Sequence, residues 1–477
     1  MDIIGRKAEK QRLEDLYESQ SAEFLVIYGR RRVGKTYLIR QHYEDRFAFV
    51  TTGMYKQNKS TQLAQFAIAL SEYFDTDIPT PPTWLEAFAC LKKCLKNCTL
   101  TRKLIFIDEI SWFDTGDGDF VAALEWFWNG WASSENDIFL IVCGSATSWI
   151  TDTLLANKGG LFNRVTCQIY LQPFSLNETE QYLLSKSINW SRYDITECYM
   201  VLGGIPFYLK QLEPNLSYTS NIDNLFFRHN GKLKDEFDHL YNSLFNNAPF
   251  YIKIVEALSN HPNGITRNEL SREAKIARNG NLSKALRDLV NCNCIRAFNF
   301  YGKSRNGVMY QLSDYFTMFY FRFIRVHYGR DEHFWSNTID NPSRRTWAGL
   351  MFEQVCKDHI TLIKRAIGIS GVLSEQSAWY VRPSEDGANR GAQIDLLISR
   401  RDRVINICEM KFSINEFTID KDYEMSLRNK IGAFREATKT HDALNLTMIT
   451  TYGVKNNSHS GIVQSQVTMD DLYEENK

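Results

Sequence analysis

One short stretch of this sequence carries the residue types that bind phosphate groups. Residues 29–36 read G-x-x-x-x-G-K-T and directly follow an apolar run, Phe24–Tyr28, that has the composition of a β-strand. Gly29 and Gly34 let backbone N–H groups wrap a phosphate chain, and the helix that begins after them adds a favourable dipole. Lys35 would pair with phosphate oxygens, and the Thr36 hydroxyl would ligate Mg²⁺. The motif therefore predicts a nucleotide site with ATP and Mg²⁺ as cofactors.

An acid pair follows a second apolar run, Lys103–Asp108. Asp108 stands at the carboxyl end of that predicted strand, where ligands bind in open α/β sheets, and it fits the acid that accompanies Mg²⁺. Glu109, the next residue, is placed to polarise an attacking water. On its own, an acidic turn after a core strand explains both residues equally well. Beside the phosphate-binding loop, the pair indicates a hydrolase rather than a protein that only binds the nucleotide.

A third group of chemically capable residues lies near the C-terminus. Asp395 is in one predicted strand, Gln393–Ser399, and Glu409 and Lys411 are in the next, Val404–Lys411. Glu409 and Lys411 are two residues apart and therefore project from the same face of their strand. Two carboxylates bind Mg²⁺ or Mn²⁺, and a nearby lysine can steady an attacking water or the phosphate charge. The alternative is a solvated strand face, but the strand is otherwise apolar, which makes a charged pair costly unless it is used.

The segment between His261 and Arg305 is basic in a chain whose formal net charge is zero. It holds nine Lys or Arg residues against three acids, whereas the whole chain holds 56 residues of each sign. Its predicted order of helix, short strand, two helices and hairpin is that of a winged helix-turn-helix. The alternative is a winged helix that packs against protein. The cations that would contact DNA phosphates without reading sequence are Arg278, Lys284, Arg287, Lys303 and Arg305.

These sites need elements that position them, and the chain divides by pattern into four stretches. Residues 1–171 alternate β-rich apolar runs with amphipathic stretches, which predicts a parallel α/β core. Residues 172–245 are mostly helical, 246–330 contain the predicted winged helix, and 346–477 contain a C-terminal α/β domain. A polar stretch at 336–345 is typical of a boundary. The predicted core strands are Phe24–Tyr28, Phe47–Thr51, Lys103–Asp108, Ile138–Gly144 and Val165–Leu171.

Composition and charge exclude several classes of protein. Hydrophobic residues make up 44% of the 477 residues and charged residues 23%, which excludes a disordered or collagen-like chain. Because the net charge is zero, the protein does not coat DNA over its whole surface, and any DNA contact must be local. The sequence has no apolar run of about 18 residues and no secretory signal, so we expect a cytoplasmic protein without membrane contact. The ten cysteines are scattered and are expected to be reduced and packed.

The N-terminal half resembles the AAA+ and STAND-related ATPases of archaea and bacteria. The resemblance rests on Ile3-Ile4-Gly5-Arg6, the GRRRVGKT loop, the FIDE strand and the later LGGIPFYL. It implies that the segment with Ile4 lines the adenine pocket, that Ser145 is a polar sensor on the next core strand, and that Pro206 begins a lid helix that touches the nucleotide. It also implies an arginine near the γ-phosphate. Arg164 is the candidate, with an ordinary surface arginine as the alternative. A homo-oligomer through the ATPase core is a further expectation.

The C-terminal half resembles the nuclease-like domain that is fused to such ATPases. Glu353 in a helix, Asp395 in a strand and Glu409-x-Lys411 in the next strand follow the order of PD-(D/E)xK nucleases. The resemblance implies a restriction-endonuclease-like fold in which Glu353, Asp395 and Glu409 hold Mg²⁺ or Mn²⁺ and Lys411 assists catalysis. Inactive copies of this fold keep the shape without the cleavage.

Together these features predict an α/β protein with four parts: a P-loop AAA+-type ATPase core, a helical lid, a winged-helix domain and a C-terminal restriction-endonuclease-like domain. The main hypothesis is an ATP-hydrolysing protein coupled to DNA binding and, where the C-terminal site is active, to metal-dependent DNA cleavage. The alternative is a STAND-like signalling switch, in which ATP changes protein contacts and the nuclease-like domain is inactive.

Overall fold

The computed structural model describes residues 3–156, 160–161, 163–302, 307–327, 329–381 and 391–475. The chain divides into two compact units, Met1–Pro173 and Phe174–Lys477. The finer predicted boundaries, at 171, 245, 330 and 346, stay a prediction.

The first unit is built on a five-stranded parallel sheet. Its strands are β1 (Glu23–Tyr28), β2 (Phe47–Thr52), β3 (Lys103–Asp108), β4 (Ile138–Gly144) and β5 (Cys167–Tyr170), close to the predicted runs. They lie in the order β2-β3-β4-β1-β5, and every pairing is parallel. Because parallel strands end at one edge, the loop after β1 and the acids after β3 open on the same side, with the end of β4 between them.

Helices cover this sheet and bury its apolar strands. They are α1 (Lys7–Glu18), α2 (Lys35–Tyr43), α3 (Lys59–Phe74), α4 (Trp84–Asn97), α5 (Asp119–Gly130) and the short α6 (Thr147–Trp149). Every residue of β4 is buried, as expected for a central parallel strand. Side chains fix the starts of two helices, since Asn58 accepts from the Thr61 N–H and Thr83 from the Glu86 N–H. The core between helices and sheet is rich in aromatic rings, including Phe66, Trp84 and Phe88.

The second unit opens with helices and a small antiparallel sheet. The first helices are α7 (Leu176–Ser185), α8 (Arg192–Leu202), α9 (Pro206–Leu209), α10 (Tyr218–Ile222) and α11 (Glu236–Leu244). The basic segment follows as α12 (Ala248–Ser259), β6 (Ile265–Thr266), α13 (Arg267–Glu273), α14 (Gly280–Asn291), β7 (Ile295–Phe298) and β8 (Met309–Leu312). Its three strands lie in the order β6-β8-β7. Residues 303–306, which contain the predicted wing tip, lie outside the described residues.

A mixed five-stranded sheet forms the rest of the second unit. The linking helices are α15 (Tyr315–Phe319), α16 (Arg325–His327), α17 (Phe334–Asn337), α18 (Pro342–Asp358) and α19 (Ile360–Ala366). The sheet and its helix are β9 (Ser374–Val381), β10 (Ala392–Arg400), β11 (Val404–Lys411), α20 (Lys421–Thr438), β12 (Ala443–Thr450) and β13 (Ser465–Thr468). The order is β13-β12-β11-β10-β9, antiparallel from β9 to β11 and parallel from β11 to β13.

The polar stretch at 336–345 is partly helical and packed inside the second unit. Helix α18 begins inside it at Pro342. Arg344 is only 3% exposed and pairs with Glu197 on α8, with Nη2 and Oε2 3.1 Å apart. The charge of Arg344 is therefore neutralised inside the second unit.

Two further expectations can be compared with the structure. All ten cysteines are free thiols, and seven of them are buried. Within the described ranges, none of the helices combines the length and the apolar composition that crossing a bilayer requires.

Candidate functional site

The loop between β1 and α2 depends on two glycines for its shape. Gly29 has a φ of +139°, and a Cβ at this position would lie 2.5 Å from the carbonyl oxygen of Leu171. Gly34, the residue before α2, has a φ of +91°. Residues with a side chain rarely adopt these conformations, so both positions require glycine for the loop to turn into the helix.

Lys35 fills the inside of this loop. Its side chain is buried, and its Nζ donates to the carbonyl oxygens of Gly29 (3.0 Å) and Arg30 (2.9 Å). Phosphate oxygens make stronger, charge-assisted bonds to an ammonium group than neutral carbonyls do. The ammonium group therefore lies where a phosphate chain held by the loop would replace its present partners.

Thr36 and Asp108 come together although 72 positions separate them. The Thr36 hydroxyl donates to Asp108 Oδ1 over 3.2 Å, and the backbone N–H of Glu109 donates to the same oxygen over 3.0 Å. Burial, and secondarily the charge of Glu109, raise the pKa of Asp108, and a cation beside the carboxylate would favour its charged form. A hydroxyl and a carboxylate in contact are the hard oxygen donors that Mg²⁺ prefers at phosphate sites, and this pair fits such an ion.

The end of β4 holds the carboxylate of Glu109. Ser145, which follows β4, donates its hydroxyl to Glu109 Oε2 over 3.0 Å, and its backbone N–H lies 3.4 Å from the same oxygen. Glu109 itself has a left-handed backbone with a φ of +48°, which is uncommon for a residue other than glycine. The structure thus brings Glu109, Ser145 and Asp108 to one edge of the sheet, beside the loop.

The N-terminal segment with Ile4 is fixed beside the loop by Arg6. The Arg6 guanidinium is buried and donates through Nη2 to the carbonyl oxygens of Gln172 (2.6 Å) and Val33 (3.4 Å). Val33 belongs to the phosphate-binding loop, so the segment and the loop are held together. Ile4 is half-buried. Its contact with an adenine ring stays a prediction.

Two residues of this site were not expected from the sequence. The Cys143 thiol, at the end of β4, forms a hydrogen bond to Asp108 that lowers the pKa of that acid, against the larger effect of burial. Gly53, after β2, donates its N–H to the carbonyl oxygen of Asp108 over 2.9 Å, and a Cβ there would lie 2.6 Å from the carbonyl oxygen of Glu109. Neither spacing nor residue type indicates these contacts, because they depend on which strands are neighbours.

The structure does not add evidence for the predicted nucleotide contacts of Pro206 and Arg164. Pro206 is the first residue of α9 in the second unit. Gly204 before it has a φ of +64°, and a Cβ there would lie 2.2 Å from the carbonyl oxygen of Phe174, so local packing already requires glycine at this turn. Arg164 is exposed. The expected contacts of both residues with a nucleotide remain predictions.

A second candidate site lies in the second unit where β10 and β11 pair. Their antiparallel register pairs Leu396 with Cys408, so Asp395 and Glu409 are the next residues along the two strands. Lys411 Nζ lies 3.1 Å from Glu409 Oε1. Glu409 and Lys411 are therefore on one face of β11, where their two-residue spacing puts them.

Glu409 is surrounded by groups that donate to it. Its Oε2 accepts from Lys430 Nζ over 2.6 Å, and its Oε1 accepts from the Tyr423 hydroxyl over 2.7 Å. Burial alone would raise the pKa of Glu409, but the charges of Lys430 and Lys411 more than offset it, and the pKa is lowered. Glu409 is thus a charged carboxylate neutralised by α20 and by its own strand.

Glu353 and Lys357 form the other half of this site. Both are on α18, which packs against β11. Burial, and then the charge of Asp395, raise the pKa of Glu353 to about 8. Burial lowers the pKa of Lys357, while Glu353 and Asp395 act in the opposite direction. We call the six residues of the site the acid–lysine cluster: Glu353, Asp395 and Glu409 with Lys357, Lys411 and Lys430.

The acid–lysine cluster, as arranged, does not fit the Mg²⁺ or Mn²⁺ that the sequence predicts there. In the part of the chain that the structure describes, no group of three or more His, Cys, Asp or Glu side chains is placed to hold a metal ion. Both oxygens of Glu409 already accept from lysines or a tyrosine. Lys411 and Lys430 both lie against Glu409, so the charge of that carboxylate, which would attract a divalent ion, is already neutralised.

A chain of amide contacts connects this cluster to the basic segment. The Asn263 side-chain amide donates to Gln393 Oε1 over 3.1 Å, and Gln393 Nε2 donates to Asp395 Oδ1 over 2.5 Å. The carboxylate accepts only, which fixes the direction of both bonds. Nearby, the Tyr301 N–H donates to the carbonyl oxygen of Ala378 on β9 over 2.8 Å. The loop before β6 and the chain after β7 are thus both bonded to the larger sheet.

The cations predicted to contact DNA are exposed where they are described. Helix α14 buries leucines at 282, 286 and 289, and Lys284 and Arg287 are exposed on it. Arg278, just before the helix, is also exposed. Lys303 and Arg305 lie outside the described residues.

Three residues at the second site were not predicted from the sequence: Lys357 and Lys430 of the cluster, and Tyr423, which donates to Glu409. Lys357 follows Glu353 by four residues, the spacing that puts two side chains on one helix face, so this signal was present. No comparable signal marks Tyr423 or Lys430, because nothing local shows which face of α20 meets β11.

Comparisons with solved structures give low overall similarity. A Walker-type ATPase of Pyrococcus abyssi is 18% identical, with a TM-score of 0.49, over 67% of this chain and 96% of that one. The ORC2 protein of Aeropyrum pernix is 12% identical, with a TM-score of 0.42, over 75% of this chain and 96% of that one.

Comparisons of sequence identify relatives and a matching family model. An uncharacterized protein of Methanocaldococcus jannaschii is 24% identical over 417 residues, which are 86% of this chain and 87% of that protein. An uncharacterized ATP-binding protein of the same organism is 42% identical over 44 residues, 9% of this chain and 75% of that protein. Residues 4–212 match the model of a family described as an ATPase domain predominantly from Archaea. Over these residues the chain is therefore similar to P-loop ATPase domains of the archaeal type.

Proposed function

We propose that this chain is an ATPase whose nucleotide cycle governs DNA binding by its second unit. The observation that carries the DNA half of the proposal is the exposed basic side of α14, in a segment with nine Lys or Arg residues against three acids. The ATPase half follows from the first unit, where the loop, Thr36, Asp108, Glu109 and Ser145 meet at one sheet edge.

The chemistry of the first unit follows from its contacts. Lys35 exchanges the two loop carbonyls for phosphate oxygens when ATP binds. Thr36 and Asp108 would hold Mg²⁺, which when bound neutralises phosphate charge. Glu109 orients a water for attack, and Ser145 keeps its carboxylate at the required angle through the 3.0 Å bond. These groups come from the loop, β3 and β4, so a shift of one strand end against another alters the reaction.

Helix α14 of the second unit carries exposed cations and is anchored to the rest of the unit. The leucines of α14 anchor it, and Tyr251 on α12 donates its hydroxyl to the buried Asp288 of α14 over 2.6 Å. A helix held from behind by apolar packing and a partly buried hydrogen bond presents its cations from a fixed backbone. Lys284 and Arg287 suit contacts to successive phosphates, which position a protein on DNA without reading its sequence.

This helix should make DNA binding steeply sensitive to salt. We expect the double variant Lys284→Gln, Arg287→Gln to weaken binding of a 30-base-pair duplex by about tenfold or more at low salt, because each phosphate contact releases a counterion. The slope of log affinity against log salt concentration should also fall by about two, one for each cation that the variant removes. Fluorescence anisotropy of a labelled duplex between 50 and 200 mM salt measures both quantities.

A matched control separates this helix from general charge. Lys210 and Lys232 are exposed lysines elsewhere in the second unit, and the Lys210→Gln, Lys232→Gln variant removes the same charge. Its affinity and salt slope should stay at wild-type values. Equal losses in the two double variants, or wild-type binding that does not weaken with salt, would rule out α14 as the DNA contact.

Metal-dependent DNA cleavage is a second candidate function. It is favoured by the register that sets Asp395 beside Glu409, by Lys411 on the same face, and by the Asn263–Gln393 contact that joins this site to the basic segment. Lys430, which already neutralises Glu409 through Oε2, opposes it and favours the switch alternative, in which the nuclease-like domain only makes contacts. Supercoiled plasmid incubated with Mg²⁺ or Mn²⁺, with and without ATP, distinguishes the two. Nicking by the wild type that is lost in Lys411→Ala supports cleavage, and intact plasmid with both proteins supports the switch.

A further inference from the structure

Helix α20 presents one face to Glu409. Tyr423 and Lys430 are seven residues apart, two helical turns, and both donate to this carboxylate. Asp420 caps the start of the helix by accepting from the Tyr423 N–H over 2.8 Å. The helix therefore begins two residues before its first contact with Glu409 and places the second contact by its own geometry.

Packing holds that face in place. Leu427 and Phe434, each one turn beyond a contacting residue, are buried in the core of the larger sheet. The Phe434 ring packs against Tyr301 and Trp379, with centroids 5.1 and 5.2 Å away. Lys430 is only 20% exposed. It is thus a built-in partner of Glu409 and differs from the mobile lysines of a protein surface.

The position of the Lys430 ammonium group has a chemical consequence. Its Nζ is 2.6 Å from Glu409 Oε2, and Lys411 and Tyr423 share the other oxygen. A divalent cation also needs a carboxylate oxygen at short range, and two cations repel each other strongly at such distances. Lys430 and a metal ion therefore compete for Oε2 of Glu409.

We propose that Lys430 is the resident cation of this site and keeps divalent metal ions from Glu409. The inference deepens the cleavage candidate and rests on it, since the acid–lysine cluster matters for a reaction only there. It assigns Lys430 as a positioning residue that sets the metal affinity of the cluster. A partner or DNA that draws Lys430 away would open the cluster to Mg²⁺ or Mn²⁺.

Mn²⁺ binding measured on the full chain without nucleotide or DNA tests this proposal. The Asp108→Asn background removes the contribution of the ATPase site, and the electron paramagnetic resonance signal of free Mn²⁺ reports binding. Lys430→Gln and Lys430→Met should each bind Mn²⁺ at least about tenfold more tightly than the background protein, because the competing charge is gone. Lys430→Arg keeps the charge and should stay near the background value.

Two controls locate the effect. Lys421→Gln removes an exposed lysine from the first turn of α20 and should leave Mn²⁺ affinity unchanged. Adding Asp395→Asn to Lys430→Gln should cancel the gain, since it removes an acid of the cluster. Unfolding curves for each variant identify any that fails to fold, and the Gln and Met variants serve as independent tests.

The proposal is overturned if folded Lys430→Gln or Lys430→Met binds Mn²⁺ no more tightly than the background protein, or if neither binds it. A gain that survives Asp395→Asn also overturns it, because the ion then lies elsewhere. These outcomes can be told apart from a failure of the cleavage candidate. Plasmid that stays intact with every variant removes that candidate, and the Mn²⁺ titration still decides whether Lys430 controls the site.

Discussion

Glu109→Gln should stop ATP turnover while leaving ATP bound. The amide keeps the shape of the carboxylate and still accepts from Ser145, whose hydroxyl lies 3.0 Å away, so the loop and Asp108 are undisturbed. It cannot take a proton from water, and loss of a general base costs about 100-fold to 10,000-fold in rate. Phosphate release measures turnover, and a fluorescent ATP analogue measures binding in the same preparation.

Two other variants serve as controls for this experiment. Glu72→Gln makes the same chemical change at an exposed position of α3 and should leave both quantities unchanged. Lys35→Ala should lose binding, because the ammonium group inside the loop is removed. Turnover by Glu109→Gln within about tenfold of the wild type would assign the base to another residue. Loss of binding in Glu109→Gln would show that Glu109 holds the nucleotide instead.

The sequence predicted the parts of the ATPase site that are local. The loop, the strand before it and the acids after β3 are each marked by a short motif with its own physical reason, and the observed strands lie close to the expected runs. The contact between Ser145 and Glu109 was not predicted as such. It depends on β4 lying between β1 and β3. No local sequence pattern predicts the order of strands in a sheet.

In the second unit, less of the candidate site could be predicted from the sequence. The spacing of Glu409 and Lys411 correctly put them on one face, because both are in one strand. The partner that changes the interpretation, Lys430, comes from a helix 21 positions later. Its role depends on which face of α20 packs on the sheet, and that is settled by Leu427 and Phe434 entering a core built from distant strands. The spacing of the acids in the sequence therefore indicated a metal site. The packing of α20 on the sheet brings Lys430 to the same acids.

The packing of the stretch at 336–345 was not predictable from composition, for a related reason. Charged and polar residues in a run are typical of solvated linkers, and hydropathy has no means of showing that one of the arginines is paired inside the protein. Arg345 behaves as composition suggests, being 69% exposed and paired with an exposed Asp340. Arg344 beside it is 3% exposed. The two neighbours are thus a matched pair for measuring what the buried charge contributes.

Arg344→Ala should destabilise the second unit by about 3–5 kcal/mol, the cost of removing one partner of a buried ion pair. Arg344 donates to Glu197 Oε2 over 3.1 Å and to the carbonyl oxygen of Trp335 over 2.8 Å, and its guanidinium lies 4.0 Å from the centre of the Trp335 ring. The variant leaves Glu197 buried without a counter-charge. Urea unfolding followed by circular dichroism measures the loss.

The neighbouring Arg345→Ala should change the free energy of unfolding by less than about 0.5 kcal/mol, because an exposed pair contributes little. The deficit of Arg344→Ala should also shrink as the pH falls toward 5. Burial raises the pKa of Glu197 and Arg344 opposes this, so without Arg344 the pKa rises further. An acid whose folded pKa lies above its unfolded pKa destabilises the fold at high pH, and this loss is relieved as the acid takes up a proton. Equal effects of the two alanine variants, or a deficit that does not change with pH, would show that the Arg344–Glu197 pair does not hold this unit together.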